Sequence, residues 1–229
     1  MSSTASLPAI LHPENDARAR ELLSDYFTSQ DWEGHPKFSG AKFESLGHAW
    51  NETETSNKIT ASDLLAVSCL SVNVPATATI DILGASARGI SELLAAVPDT
   101  NLPIWAPEAA YQIDDPESEM QQLWRHLRSY KDMGPVKTSK LMARKRPNLI
   151  PIYDDVVGAA LGIPNSLGHW TTMREQMLIE QSGGSVARTS QGNDRRGESR
   201  IRDPSACLRC HRLVRKQPPS PVGRPRLSR

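Results

Sequence analysis

The apolar residues of the chain recur at intervals of three and four, which is the period of an α-helix with one buried face. Residues 86–97 show it most clearly, with apolar positions at Ile90, Leu93, Leu94 and Val97. The same period, with its start and stop residues, predicts further helices over 14–29, from Thr60, from Pro75 to Gly84, over 117–130, from Pro135, over 155–161 and over 167–179. No segment alternates as a strand would, and the short apolar link 149–152 contains a proline. The pattern predicts an all-α fold.

One predicted helix is apolar on almost every side. Thr60 is followed three residues later by Asp63, a pair typical of a capped helix start. The run 64–72 that follows leaves little polar face, which predicts a central, buried helix. Cys69 lies inside this run, so we interpret it as a small core residue rather than a nucleophile.

A long polar segment, residues 30–58, separates the first two helices. It carries four aromatic residues: Trp32, Phe38, Phe43 and Trp50. We expect them to hold a long loop against the core; stacking on nucleic-acid bases is the alternative.

Charge divides the chain into two parts. Residues 1–181 hold 15 Lys/Arg and 23 Asp/Glu, whereas residues 182–229 hold 12 Lys/Arg and 3 Asp/Glu. The second part has no aromatic residue and cannot bury enough apolar surface to offset its ordering entropy. We therefore predict a helical domain over 1–181 and a disordered basic tail over 182–229. A frameshift could have produced the tail, which reading the coding DNA in the other two frames would test.

Several function classes find no support in the sequence. No apolar run reaches the roughly 20 residues of a membrane helix, and the N-terminus lacks the features of a secretory signal, so we expect a cytoplasmic protein without membrane contact. The tail segment 207–211, CLRCH, has the spacing of a c-type haem attachment site. Because no fold is predicted around it, coincidence is the favoured interpretation, and we predict neither cofactor nor metal.

The candidate chemistry lies in residues 133–157. A helix over 117–130, a turn ending at Gly134 and a helix from Pro135 form a hairpin. Gly134 can adopt positive φ and allows a phosphate close to the backbone, while the first amides of the second helix form an anion site. Lys137, Lys140 and Arg144 share a helix face that could meet phosphates. The predicted nucleic-acid contacts are Gly134, Pro135, Val136, Lys137, Lys140 and Arg144. The alternative for the cations is a solvated face.

This stretch resembles the hairpin of the helix-hairpin-helix base-excision DNA glycosylases. Residues 132–138, DMGPVKT, are similar to that family's Gly-hydrophobic-Gly-x-x-Thr-Ala, with Asp132 in place of the first glycine. Residues 150–157, IPIYDDVV, resemble the family's segment ending in hydrophobic-Asp-x-x-Val. The resemblance implies that Asp154 is the carboxylate that assists cleavage of the N-glycosidic bond. The Schiff-base lysine of the bifunctional members falls on Val136, so an enzyme of this kind would be a monofunctional glycosylase.

Asp154 also has a purely structural interpretation. It directly precedes the predicted helix 155–161, where an aspartate commonly accepts a bond from an amide of the first turn. Capping alone, or capping together with a functional role, both remain open.

Over a longer span the chain resembles an uncharacterised bacterial family of unknown function. The resemblance rests on residues 43–47, FESLG; 60–67, TASDLLAV; and 140–151, KLMARKRPNLIP. It implies no established activity, and it implies further helical sequence after residue 180.

Three functional hypotheses follow. The first is a protein that binds nucleic acid through the hairpin and is distantly related to the glycosylases; whether it is an enzyme stays open. The second is a non-enzymatic helical module for structure or interaction, whose protein partners the sequence does not identify. The third is a truncated or frame-shifted product without function.

Overall fold

The computed structural model describes residues 9–47, 52–97, 101–163, 165–166 and 168–189. Within these ranges the regular secondary structure is helical, and the sole strand-like pairing is an isolated bridge between Gln30 and Pro36. The prediction of an all-α fold is confirmed. None of the helices in the described part of the chain is long and apolar enough to cross a membrane.

Nine α-helices are found in the described part of the chain, and the longest connection between two of them is the segment 29–60. They are α1 (Asp16–Thr28), α2 (Ala61–Ser68), α3 (Ala76–Leu83), α4 (Ala87–Ala95), α5 (Ala109–Asp114), α6 (Glu119–Arg128), α7 (Pro135–Lys145), α8 (Asp155–Ala160) and α9 (His169–Thr189). Short 3-10 segments occur at Ala9–Leu11, Pro13–Asn15 and Ser39–Lys42.

The capped start of α2 matches its prediction. The Thr60 hydroxyl accepts a bond from the Asp63 amide at 3.3 Å, and the Asp63 carboxylate accepts one from the Thr60 amide at 2.8 Å. The expectation that α2 is buried on every side was too broad, because Leu65 lies 63% exposed. Burial raises the pKa of the Cys69 thiol, which disfavours the nucleophilic thiolate.

Helix α5 was not predicted; it lies between the predicted helices 86–97 and 117–130. It has six residues, too few for an apolar period to show. Tertiary bonds fix it instead: the Gln112 side-chain oxygen accepts from the Met120 amide at 3.2 Å, and its main-chain carbonyl accepts from the Ser118 hydroxyl at 3.0 Å. These bonds join the end of α5 to the start of α6.

Helix α7 lies at the centre of the fold and packs against both α2 and α6. Its apolar residues Leu141, Met142 and Ala143 are buried in the main core, to which α2, α4, α6 and α9 also contribute. A residue on α7 can therefore face either the core or the segments 39–47 and 52–60, which lie beside it.

The aromatic residues of the long polar segment behave differently from one another. Phe43 is 0% exposed and belongs to the main core, and Phe38 stacks on Tyr26 with ring centroids 5.2 Å apart. These two hold the loop as predicted. Trp32 was expected to do the same, but it is 90% exposed. Trp50 lies outside the described residues.

The backbone of α9 runs to Thr189 and so continues across the predicted domain boundary after residue 181. The rest of the predicted disordered tail, residues 190–229, lies outside the described residues, and so does the CLRCH segment.

Candidate nucleic-acid interface

The turn between α6 and α7 covers residues 129–134 and reverses the chain. Asp132 adopts the left-handed conformation, with φ +62°, whereas Gly134 is extended, with φ −68° and ψ 169°. The positive φ that the sequence suggested for Gly134 is found at Asp132, two residues earlier. Asp132 can take this conformation because a short polar side chain tolerates it better than most L-residues do.

Side chains brace this turn from both helices. Arg128 on α6 donates from Nη1 to the Met133 carbonyl at 2.6 Å, and Lys137 on α7 donates from Nζ to the Asp132 carbonyl at 3.0 Å. Met133 is buried and anchors the turn to the core. The turn is thus a fixed structure whose main chain is held in place.

Gly134 leaves the start of α7 uncovered. A Cβ added there would meet as its nearest neighbour the Arg128 Nη1 atom, at 3.9 Å, so packing alone would accept a larger residue. Gly134 is the N-cap of α7 and provides no side chain to bond the first amides, and Pro135 occupies the first turn. Residues 134–137 are half-buried, and the positive end of the helix dipole at this start suits an anion.

Cations surround this helix start. Arg128 and Lys131 are exposed, and Lys137 is half-buried with its ammonium bonded to the turn. Asp132 contributes a single opposing charge within the turn. We call the group formed by Arg128, Lys131, Gly134, Pro135, Val136 and Lys137 the hairpin tip. It combines a helix start with three basic side chains.

Lys140 and Arg144 do not join the hairpin tip, contrary to the prediction that they share a phosphate-facing surface with Lys137. Lys140 is 1% exposed, donates from Nζ to the Leu70 carbonyl at 3.0 Å and lies 3.7 Å from the Asp154 carboxylate. Both cations point inward because α7 is central, so the face they occupy packs against α2 and its surroundings rather than meeting solvent.

Arg144 is fully buried, and its planar guanidinium donates hydrogen bonds to three acceptors. Its Nε meets Asp63 Oδ1 at 3.0 Å, Nη1 meets the Phe43 carbonyl at 2.7 Å, and Nη2 meets the Leu46 carbonyl at 2.9 Å. A charged fork of this kind suits several acceptors at once. It ties α7 both to α2 and to the loop that precedes it.

Lys145 and Arg146 are buried beside Arg144. Lys145 donates to Asp63 Oδ2 at 3.0 Å. Arg146 bonds the Ser56 carbonyl at 2.9 Å, the Asn57 side chain at 2.6 Å and the Leu94 carbonyl at 2.5 Å. We call Lys140, Arg144, Lys145 and Arg146, with Asp63 and Asp154, the buried cation cluster.

Four cations and two carboxylates leave positive charge in excess within this cluster, so backbone carbonyls supply much of the compensation. Desolvation lowers the pKa of Lys145, and the nearby Arg144 and Arg146 act in the same direction, while Asp63 opposes them. The role of the cluster is structural: it joins the segments 43–46 and 56–57 and the end of α4 to α7.

Asp154 caps α8. Its Oδ1 accepts from the Val157 amide at 3.0 Å, its Oδ2 lies 3.7 Å from the Lys140 ammonium, and the residue is 3% exposed. The geometry matches the capping interpretation. A carboxylate so placed has its lone pairs directed at protein groups.

Comparison with known proteins places these features in a family. A family model described as a family of unknown function, DUF6308, matches residues 19–203. The chain belongs to DUF6308. The DUF6308 match contains the hairpin tip and the buried cation cluster, and it extends beyond residue 181 into the predicted tail. No curated protein and no solved structure matches the chain.

Asp63 is the important residue that sequence reasoning left without a role beyond capping. An acid inside an otherwise apolar helix start needs compensation when it is buried. Arg144 and Lys145 supply that compensation. Helical spacing alone does not predict that α2 and α7, which are distant in sequence, lie in contact.

Proposed function

We propose that the hairpin tip binds the phosphodiester backbone of nucleic acid. The observation that carries the proposal is the joint position of Arg128, Lys131 and Lys137 around the uncovered start of α7. Main-chain amides at a helix start and cations beside them are the groups that hold a phosphate. The similarity of residues 132–138 to the glycosylase hairpin supports the same assignment.

The proposed binding is independent of base sequence. The hairpin tip offers amides and cations for phosphate oxygens, and its guanidinium, on Arg128, is already bonded to the Met133 carbonyl rather than directed at base edges. Such binding gains from counterion release, so the affinity should fall steeply as salt increases. The acidic balance of residues 1–181 opposes binding elsewhere and favours contact at the hairpin tip.

The proposal stops at binding and includes no glycosylase reaction. Asp154 was the residue on which that reaction depended, and its carboxylate bonds the α8 amide and neighbours the Lys140 ammonium. A group that must stabilise charge on a sugar needs access to that sugar, which a 3% exposed cap does not provide.

Fluorescence anisotropy with a labelled DNA duplex and a labelled single strand, at several salt concentrations, tests the proposal. In the double variant Lys131→Glu, Lys137→Glu we expect the affinity to fall at least ~10-fold and the slope of log affinity against log salt to decrease by about 1 to 2. The matched control Lys37→Glu, Lys42→Glu makes the same charge change at exposed lysines outside the hairpin.

Two results would overturn the proposal. One is absence of binding to either DNA at low salt. The other is an equal loss of affinity in the control variant, since that would assign the attraction to overall charge. Lys140→Glu is unsuitable as a test, because it would place a second carboxylate beside Asp154 in the core.

A further inference from the structure

A cavity of about 110 Å³ opens between α6, the segment before α8 and the start of α9. Four aromatic rings line it: Trp124, Tyr153, His169 and Trp170. Trp124 and Trp170 pack edge to face with centroids 5.3 Å apart, and Tyr153 and His169 do the same at 5.3 Å. This cavity lies apart from the hairpin tip and has no role in the proposed nucleic-acid contact.

The walls of the cavity are held in place. Ser139 Oγ donates to the Tyr153 carbonyl at 3.0 Å and accepts from the Tyr153 amide at 2.9 Å. Gly158 allows the Tyr153 ring to lie close, because a Cβ there would be 3.1 Å from Tyr153 Cε2. The His169 ring meets the Ile152 carbonyl at 3.3 Å. A ligand would therefore meet rings that are already positioned.

The electrostatic surroundings of the cavity are acidic. No Lys or Arg is found among the described residues that line it. Thr171, which does line it, donates to the Asp114 carboxylate at 2.9 Å. Burial raises the pKa of Tyr153, and the carboxylates of Asp155 and Asp154 raise it further. Lys140 lies 3.7 Å from the Asp154 carboxylate, so the exposed Asp155 is the carboxylate that brings negative potential to the wall of the cavity.

We propose that this cavity binds a small alkylammonium cation, such as the trimethylammonium group of a larger ligand. Aromatic rings attract cations to their faces, and nearby carboxylates strengthen that attraction. Apolar cavities of about 150 Å³ hold benzene, so this cavity has room for a group of roughly five non-hydrogen atoms. An anion finds no cationic partner among the lining residues, and it would also be repelled by the acids around them.

Titration calorimetry of the full chain with choline, and with its uncharged isostere 3,3-dimethyl-1-butanol, tests this assignment. The two probes have the same shape and differ in charge. We expect choline to bind about 5- to 20-fold more tightly, which is the range that cation–π attraction supplies at a partly desolvated site. Pyridine, an uncharged single ring, should bind more weakly than choline.

Variants locate the binding. Asp155→Asn removes an exposed charge near the cavity and should weaken choline binding at least ~2-fold while leaving the isostere unchanged. Trp124→Leu should weaken choline binding more, provided that circular dichroism shows a folded protein. Trp32→Leu is the matched control, because Trp32 is exposed on a remote loop and its loss should change neither affinity.

Three outcomes would overturn the proposal. Equal affinity for choline and the isostere would indicate an uncharged apolar cavity. Preference for pyridine would indicate a site for flat rings. Absence of saturable choline binding would remove the site altogether. None of these outcomes bears on the hairpin tip, so the two proposals fail separately.

Discussion

The two halves of the basic stretch that includes α7 have opposite surroundings. At the hairpin tip, Lys131 is exposed and Lys137 is half-buried against the turn. One helical turn further on, Lys140 is buried, and the run 144–146 is buried with it. The cations are of the same chemical types, so composition cannot explain the difference. The position of α7 between α2 and α6 does.

The comparison shows what a buried charge requires. Each cation of the buried cation cluster has an acceptor within hydrogen-bond distance, supplied by Asp63, by Asn57 or by loop carbonyls. At the hairpin tip Arg128 and Lys137 each bond one carbonyl of the turn, and water can take their other donors, which leaves those donors available to a phosphate. Local charge density therefore predicts neither exposure nor function until the partners are known.

Asp63→Ala should have the largest effect on stability. It removes the carboxylate that Arg144 and Lys145 share, and uncompensated buried charge typically costs about 3–5 kcal/mol. Urea denaturation followed by circular dichroism measures the loss. Glu54→Gln, at an exposed acid, is the control and should change the unfolding free energy by less than about 0.5 kcal/mol. A loss as small as that for Asp63→Ala would mean that the cluster does not hold the fold together.

Arg144→Lys should have the second-largest effect on stability. A lysine keeps the charge near Asp63, but its single ammonium cannot also reach the carbonyls of Phe43 and Leu46. Leaving these buried acceptors unpaired should destabilise the protein by about 2–3 kcal/mol, measured by the same denaturation. If the variant were as stable as the wild type, the fork geometry would be irrelevant and charge alone would explain the site.

The pH dependence of stability distinguishes Lys145 from an exposed lysine. Its folded-state pKa is lowered by desolvation from the ordinary 10.5, so between the two values the unfolded chain binds more protons than the folded protein. Below that window the buried ammonium lowers the free energy of unfolding. As pH rises through the window this cost is progressively removed, so the free energy of unfolding increases.

The free energy of unfolding should be measured against pH for the wild type and for Lys145→Met, a variant with no titratable group at this position. As pH rises from about 8 towards 10.5, the difference in unfolding free energy should shift in favour of the wild type. The raised pKa of Tyr153 affects both proteins alike, so subtraction removes its contribution. A difference that is constant with pH, or that shifts the other way, would contradict the lowered pKa.

The smallest effects concern the turn. Asp132→Ala should destabilise by about 1 kcal/mol, because alanine at φ +62° is strained. Gly134→Ala should be neutral or stabilising by up to about 1 kcal/mol, since its φ of −68° suits any residue and space is available. Thermal denaturation of both variants decides which position needs the left-handed conformation. If Gly134→Ala were the less stable of the two variants, Gly134 rather than Asp132 would be the position that needs the left-handed conformation.

Helix positions were largely predictable, because apolar period and capping residues are local signals. Thr60 with Asp63 marked the start of α2, and Pro135 marked the start of α7. The candidate site was less predictable. Lys140 and Arg144 were assigned to a surface because the period places them on one face, but the period does not say which faces a central helix buries. The aromatic cavity is lined by residues that are distant in sequence, including Trp124 on α6 and Trp170 on α9. No local sequence pattern predicts that such residues lie close together.

Lysine labelling of the native protein, read by mass spectrometry, tests the division of α7 most directly. An amine-reactive reagent modifies an ammonium group only after it loses its proton and meets solvent. We predict rapid labelling of Lys131 and protection of Lys140 and Lys145 until the protein is unfolded in denaturant. Native-state labelling of Lys140 and Lys145 at the rate of Lys131 would contradict the account, because those two ammonium groups would then face solvent.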